Sequence, residues 1–261
     1  MVIQDARKSL SIFLSQGPAE LYRRANSRIY RNWHDVAEPT LFDRLTIIPS
    51  RRRLRRRMEH EDDLHDIIAT VTGDIWSGEA YRGYGRHFTI EAQQTAPELT
   101  QLAKYVVDKD PESVVELGTA RGGTLYVWLR ALSADQVVSV DLPASEDPIG
   151  YPTTVLNLYT FADNLHAIRA RAQEDSTVQS VKAIQDDGID FLFLDADHRY
   201  EGVSEMFEKY EPLMNPGSLL AIDDIYLEDY GVPRFWDEIK SDYDTEEIKS
   251  TDGTGIGLIR Y

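Results

Sequence analysis

From residue 95 onward the apolar positions fall into a repeating order. Short apolar runs at 113–117, 136–140, 165–168, 189–194 and 218–222 alternate with stretches of helical spacing. Those stretches are 124–132, a segment opened by Ser176-Thr177-Val178-Gln179, and 200–214. Thr95-Ala96-Pro97-Glu98 is a capping box with proline in the first turn, followed by Leu99, Leu102, Val106 and Val107 on one face. Strand, helix and strand at this spacing predict a parallel sheet buried on both faces. The runs 246–250 and 255–261 flank the turn signal Thr251-Asp252-Gly253, which predicts a closing antiparallel hairpin. The fold class expected is α/β, a doubly wound, mostly parallel seven-stranded sheet with a C-terminal antiparallel hairpin.

Residues 1–92 lack this order and are expected to form an N-terminal basic helical arm and lid region, with 93–261 as the folded domain. The arm mixes short amphipathic stretches with Pro39, Pro49 and the run Arg51-Arg52-Arg53-Leu54-Arg55-Arg56-Arg57. A Gly- and Tyr-rich segment near 73–88, including Tyr81 and Tyr84, reads as loop, as does 147–152. Either could close over a substrate or simply pack.

Composition narrows the chemistry. The 261 residues contain no cysteine, which removes thiolate metal sites, disulfides and cysteine nucleophiles. No apolar stretch is long enough to span a bilayer, and the N-terminus shows no signal pattern, so a soluble cytoplasmic protein is expected. The net charge of −17 is uneven: residues 1–59 carry +7 and the remainder −24, with 7 Lys against 21 Arg. Such an acidic, lysine-poor surface suits a salt-rich, halophilic cytosol and makes nucleic acid an unsuitable partner. The basic run fits a solvated helix face or a patch docking on an acidic subunit surface, hence a homo-oligomer. Peripheral membrane contact is the second reading.

The first crossover reads Val115-Glu116-Leu117-Gly118-Thr119-Ala120-Arg121-Gly122-Gly123-Thr124. Its glycines follow Gly-x-x-x-Gly-Gly, without the middle glycine that a dinucleotide pyrophosphate needs, so NAD is disfavoured. Glu116 would repel phosphate and suits a ligand carrying an ammonium. The second strand ends in Asp141, where a carboxylate can accept from a ribose diol. The fourth ends Asp195-Ala196-Asp197-His198 and the fifth Asp223-Asp224. Adjacent parallel strands lie about 4.8 Å apart, so three acids crowd one point. A divalent ion would relieve the repulsion, and oxygen ligands favour Mg²⁺, Mn²⁺ or Ca²⁺. The alternative is solvated loop acids in an already acidic chain. His198 could take a proton from a hydroxyl, or merely cap the next helix or brace a ligand carboxylate. His60 and His65, five apart, do not share a helical face and are set aside as a zinc pair. Phe235 and Trp236 read as core.

These motifs resemble the class I S-adenosylmethionine-dependent methyltransferases over roughly 93–261. The resemblance implies that Glu116 and loop residues Gly118, Thr119, Ala120, Gly122 and Gly123 hold the methionine end. It also implies that Asp141 binds the ribose and that the backbone near Ala172 and Gln173 borders the adenine. Metal-dependent O-methyltransferases of the catechol and caffeoyl-CoA type carry acids after the same two strands. Leu194-Asp195-Ala196-Asp197-His198-Arg199-Tyr200-Glu201-Gly202-Val203 is more similar to the cephalosporin-hydroxylase-like and macrolide-sugar O-methyltransferases. That group implies a magnesium-type ion on Asp195, Asp223 and Asp224, with Asp224 the firmer of the last two, and His198 as general base. The expected reaction is methylation of a hydroxyl on a sugar, glycan or other small molecule. Methyl-ester formation on a sugar carboxylate, an NAD-using enzyme and a non-catalytic nucleoside-binding assembly subunit are the competing readings.

Overall fold

The computed structural model describes residues 41–73, 78–81, 83, 90–142, 158, 162–250 and 253–261, with backbone alone over 41–44. Seven strands, β1 (Ser113–Leu117), β2 (Gln136–Asp141), β3 (Leu165–Arg169), β4 (Ile189–Leu194), β5 (Met214–Ile222), β6 (Asp244–Lys249) and β7 (Gly255–Arg260), form one sheet in the order β3-β2-β1-β4-β5-β7-β6. The first five run parallel, and β7 lies antiparallel between β5 and β6. The predicted doubly wound sheet and its closing hairpin are both present. The order reverses between β1 and β4, and a crevice opens at the carboxyl ends of strands at such a switch point.

Among the described residues, seven α-helices flank the sheet: α1 (Leu41–Met58), α2 (Leu64–Thr72), α3 (Ala96–Lys109), α4 (Gly123–Ala131), α5 (Asp175–Ile184), α6 (Tyr200–Tyr210) and α7 (Val232–Ile239). Strand side chains alternate between two cores, as a period of two requires. Val114, Phe191, Phe193, Ala221 and Leu258 pack toward α1–α4, whereas Val115, Leu192, Leu194, Leu220 and Ile259 pack toward α5–α7. Phe235 and Trp236 of α7 are buried in the second core, as their apolar character suggested.

Three boundaries differ from the sequence reading. The α5 helix starts at Asp175 after Glu174, so Ser176 lies inside the first turn instead of capping it. The α6 helix stops at Tyr210, where Pro212 ends regular pairing, and β5 begins at Met214. Packing also does not stop at residue 93. Leu54, Ile67, Ile68, Val71, Tyr81 and Ile90 belong to the same core as Leu99 and Val114. Buried polar contacts reinforce that junction: Glu61 accepts from Tyr126 Oη at 2.7 and 2.8 Å and from Thr70 Oγ1 at 2.7 Å. Arg57 donates to Thr70 Oγ1 at 2.9 Å and to the Gly78 and Glu79 carbonyls. One member of the arginine run is thereby structural, while Arg52 and Arg56 face solvent. Tyr81 donates to the Ser50 carbonyl and is buried. Tyr84 and 147–152 lie outside the described residues. Among the described residues, no helix is long and apolar enough to cross a membrane.

Candidate active site

Two cavities meet at the carboxyl ends of β1, β2, β4 and β5. The first, about 300 Å³, is lined by Gly118, Ala120, Asp141, residues 170–173, and Asp195 to His198, among others. The second, about 150 Å³, is lined by Gln94, Glu98, Asp195, His198, Asp223, Asp224 and Tyr230, among others. Gln93, Asp195 and His198 face both.

The glycine loop explains how the cavities come to touch. Gly118 has φ +93°, and a Cβ there would stand 2.0 Å from the Asp195 carbonyl oxygen. Only glycine lets the loop lie directly on the end of β4. The same residues are tied by Asp195 N donating to the Leu117 carbonyl at 2.8 Å. The loop then curls over Asp141, whose Oδ2 accepts from Thr119 N at 3.0 Å and Ala120 N at 2.6 Å. Ala120 takes the left-handed φ of +45° to allow it.

Two acids of the second cavity are strongly perturbed. Burial, with repulsion from Asp223 and Asp224, holds the Asp195 carboxyl well above its usual range. Burial and the neighbouring Asp224 push Asp223 up to about 8. Asp224 adopts φ +62°, a left-handed conformation that costs energy for any residue with a side chain. Asp195, His198 and Asp224 each offer a ligand atom, all within 4.8 Å of one another. His198 Nε2 lies 3.8 Å from Asp224 Oδ2, and its ring stacks on Tyr230 at 4.6 Å and 16°. Gly231 N donates to the His198 carbonyl at 2.7 Å, which fixes the backbone beneath the imidazole.

Residues 115–225 match a family model described as a methyltransferase domain. The chain is 28% identical over 120 residues to protein R132 of Acanthamoeba polyphaga mimivirus, an uncharacterised protein, covering 45% of this chain and 53% of that one. The matched region thus spans about half the length of that curated relative. In fold, it resembles the O-methyltransferase from Bacillus cereus in complex with S-adenosylhomocysteine, at a TM-score of 0.52 and 19% identity over 66% of this chain and 84% of that one. The O-methyltransferase TomG of Streptomyces achromogenes, involved in tomaymycin synthesis and bound to S-adenosylmethionine, gives 0.50 and 17% over 84% and 98%.

Within the matched region, Gly118, Ala120, Asp141, Ala172 and Gln173 line the first cavity. Glu116, Thr119, Gly122 and Gly123 do not. Glu116 is fully buried beneath the loop and accepts from Trp128 Nε1 at 2.7 Å. Burial raises its carboxyl to about 8. Thr119 Oγ1 pairs with Ser139 Oγ at 2.6 Å. Gly122 and Gly123 back onto 91–92, where a Cβ on Gly123 would meet Ala92 N at 2.1 Å. Asp195 and Asp224 come together with His198, and Gln94 Nε2 donates to Oδ2 of both Asp223 and Asp195, at 2.5 and 3.1 Å. Sequence reading missed Gln93, Gln94 and Tyr230. Glu98 was visible as half of a capping box, and it does accept from Thr95 N at 3.2 Å, but its place beside the acids was not.

Proposed function

We propose that this protein transfers a methyl group from S-adenosylmethionine to a hydroxyl oxygen of a small-molecule or glycan acceptor, assisted by a divalent cation. The observation that carries the reading is the shared wall. Asp195 and His198 border both cavities, so a cofactor in one and an acceptor in the other would meet at the same side chains.

The residues fit both groups. Asp141 would accept from the ribose diol, and residues 170–173 line the same cavity, where the adenine would sit. S-adenosylmethionine supplies an electrophilic methyl on a positively charged sulfur. Asp195 and Asp224 would supply oxygen donors for an ion, and Oδ1 of Asp223 is a further buried oxygen, without a hydrogen-bond partner among the described residues. Such an ion, Mg²⁺ being the natural choice for oxygen donors, would lower the pKa of a hydroxyl it touches. His198, oriented by Tyr230 and the Gly231 amide, would accept the hydroxyl proton at Nε2. Holding nucleophile and methyl across one wall supplies much of the rate by positioning.

The acceptor cavity is lined by acids, amides, Thr254, Leu227, Tyr230 and His198, with no lysine or arginine among the described lining residues. A neutral hydroxyl acceptor fits this wall better than a carboxylate, which argues against methyl-ester formation. A second reading makes His198 the third ion ligand, favoured by its place within 4.8 Å of Asp195 and Asp224. His198→Ala separates the two: a general base loses turnover while Mn²⁺ still binds, and a ligand loses Mn²⁺ as well.

The decisive experiment is transfer of radiolabelled methyl to hydroxylated glycan and small-molecule pools, with Mg²⁺ or with chelator. Transfer that requires the ion and resists base hydrolysis is expected. Transfer unaffected by exhaustive chelation would overturn the cation, and label lost to mild base would point to an ester.

A further inference from the structure

Gln94 sits in the segment leading into α3, one residue ahead of the Thr95 cap, and is only 6% exposed. Its Nε2 lies 2.5 Å from Asp223 Oδ2 and 3.1 Å from Asp195 Oδ2. A primary amide nitrogen carries two hydrogens and accepts nothing, so one hydrogen serves each carboxylate. The two acids come from different strands, β4 and β5, and a single side chain from outside the sheet spans them. Among the described residues, Asp223 Oδ1 is buried with no hydrogen-bond partner, a state that is costly unless something else meets that oxygen.

We propose that Gln94 is a positioning residue for a divalent cation: it holds one oxygen of Asp195 and one of Asp223 and leaves the second oxygen of each for the ion. The inference rests on the cation reading given above and adds to it how the carboxylates are oriented. The choice of side chain supports it. A lysine in this place would hold the same oxygens while cancelling the negative charge that recruits an ion. A glutamine orients them without cancelling it. The neighbouring residues extend the link toward the cofactor side. Gln93 faces both cavities, and Glu91 pairs with Arg121 of the glycine loop at 2.6 Å. One short segment thereby braces the loop and the acids together.

The test is Mn²⁺ binding to the metal-stripped full chain, measured by calorimetry, with S-adenosylmethionine affinity and thermal unfolding in chelator measured alongside. Orienting partners of ion ligands are typically worth about 10–100-fold in affinity. Gln94→Met is therefore expected to weaken Mn²⁺ by that factor while S-adenosylmethionine binds as in the unaltered chain. A merely structural role would move both affinities together. Gln94→Lys keeps a donor between the acids, so it is expected to fold at least as well as the unaltered chain and yet lose Mn²⁺ binding. Should Gln94→Met fail to fold, the lysine variant decides, and Mn²⁺ binding to it at the original affinity overturns the proposal. Gln94→Met that folds and binds Mn²⁺ normally overturns Gln94 alone and leaves the cation reading standing. An unaltered chain that binds no Mn²⁺ at all overturns both.

Discussion

Glu116 is the residue whose setting departs furthest from what its motif suggests. Its carboxyl is raised to about 8 by burial, against an ordinary value of 4.5. Between those values the folded chain keeps a proton that the unfolded chain releases. Raising the pH through this window therefore lowers stability, by up to about 1.4 kcal/mol per pH unit. Glu116→Gln keeps the shape and removes the titration, so its thermal midpoint in chelator should fall less from pH 5 to pH 8 than that of the unaltered chain. Asp195 and Asp223 are shifted the same way and supply the slope that remains. Asp224→Ala should reduce methyl transfer at least about 100-fold, the scale of a lost electrostatic stabiliser, while S-adenosylmethionine still binds by equilibrium dialysis. Loss of both together would mean that the two cavities are not separate sites. The positions of Asp141, Asp195, Asp223 and Asp224 were legible because an acid directly after a buried apolar strand has only the sheet edge to occupy. The fate of Glu116 was not, since Trp128, its partner, lies on the following helix and nothing local announces the contact. Gln94 was equally silent: a glutamine beside another glutamine has no pattern until the strands it touches are assembled.

At the scale of elements, the helices before residue 93 carry the clearest lesson. Leu64, Ile67, Ile68 and Val71 recur at helical spacing after Asp63, whose side chain accepts from Asp66 N at 3.0 Å as an N-cap. Charged residues on either side make the segment read as part of a helical arm, with nothing local to show what its apolar face covers. In the structure α2 fills the space over α3 and α4. Ile68→Ala should cost about 2–5 kcal/mol, read from denaturant unfolding, as for any large core residue cut to a methyl. An independent arm would lose nothing. The alternation of strands and helices after 95 was readable because each period matches one element, and the turn at 251–253 marked the hairpin. β5 begins four residues ahead of the apolar run 218–222, because Pro216 and Gly217 interrupt the apolar pattern yet lie within the strand.

For the molecule as a whole, charge is the dominant feature: −24 over residues 60–261, opposed by +7 before them. Repulsion across such a surface weakens as the Debye length shrinks from about 10 Å at 0.1 M salt to about 3 Å at 1 M. Thermal unfolding should move upward between these conditions, and a gain of about 1 kcal/mol corresponds to about 2–4 °C at this chain length. An unchanged midpoint would show that the acids are already balanced by their neighbours. A different constraint follows from the contact between Gly118 and the Asp195 carbonyl. Beneath the proposed reaction site main chain rests on main chain, and no replacement of a side chain can deepen it. On that proposal, room for sulfonium donors bearing groups larger than methyl, such as allyl or propargyl, would have to come from Gln93 and Tyr230, which line the acceptor cavity. Efforts to broaden alkyl-group scope should begin there.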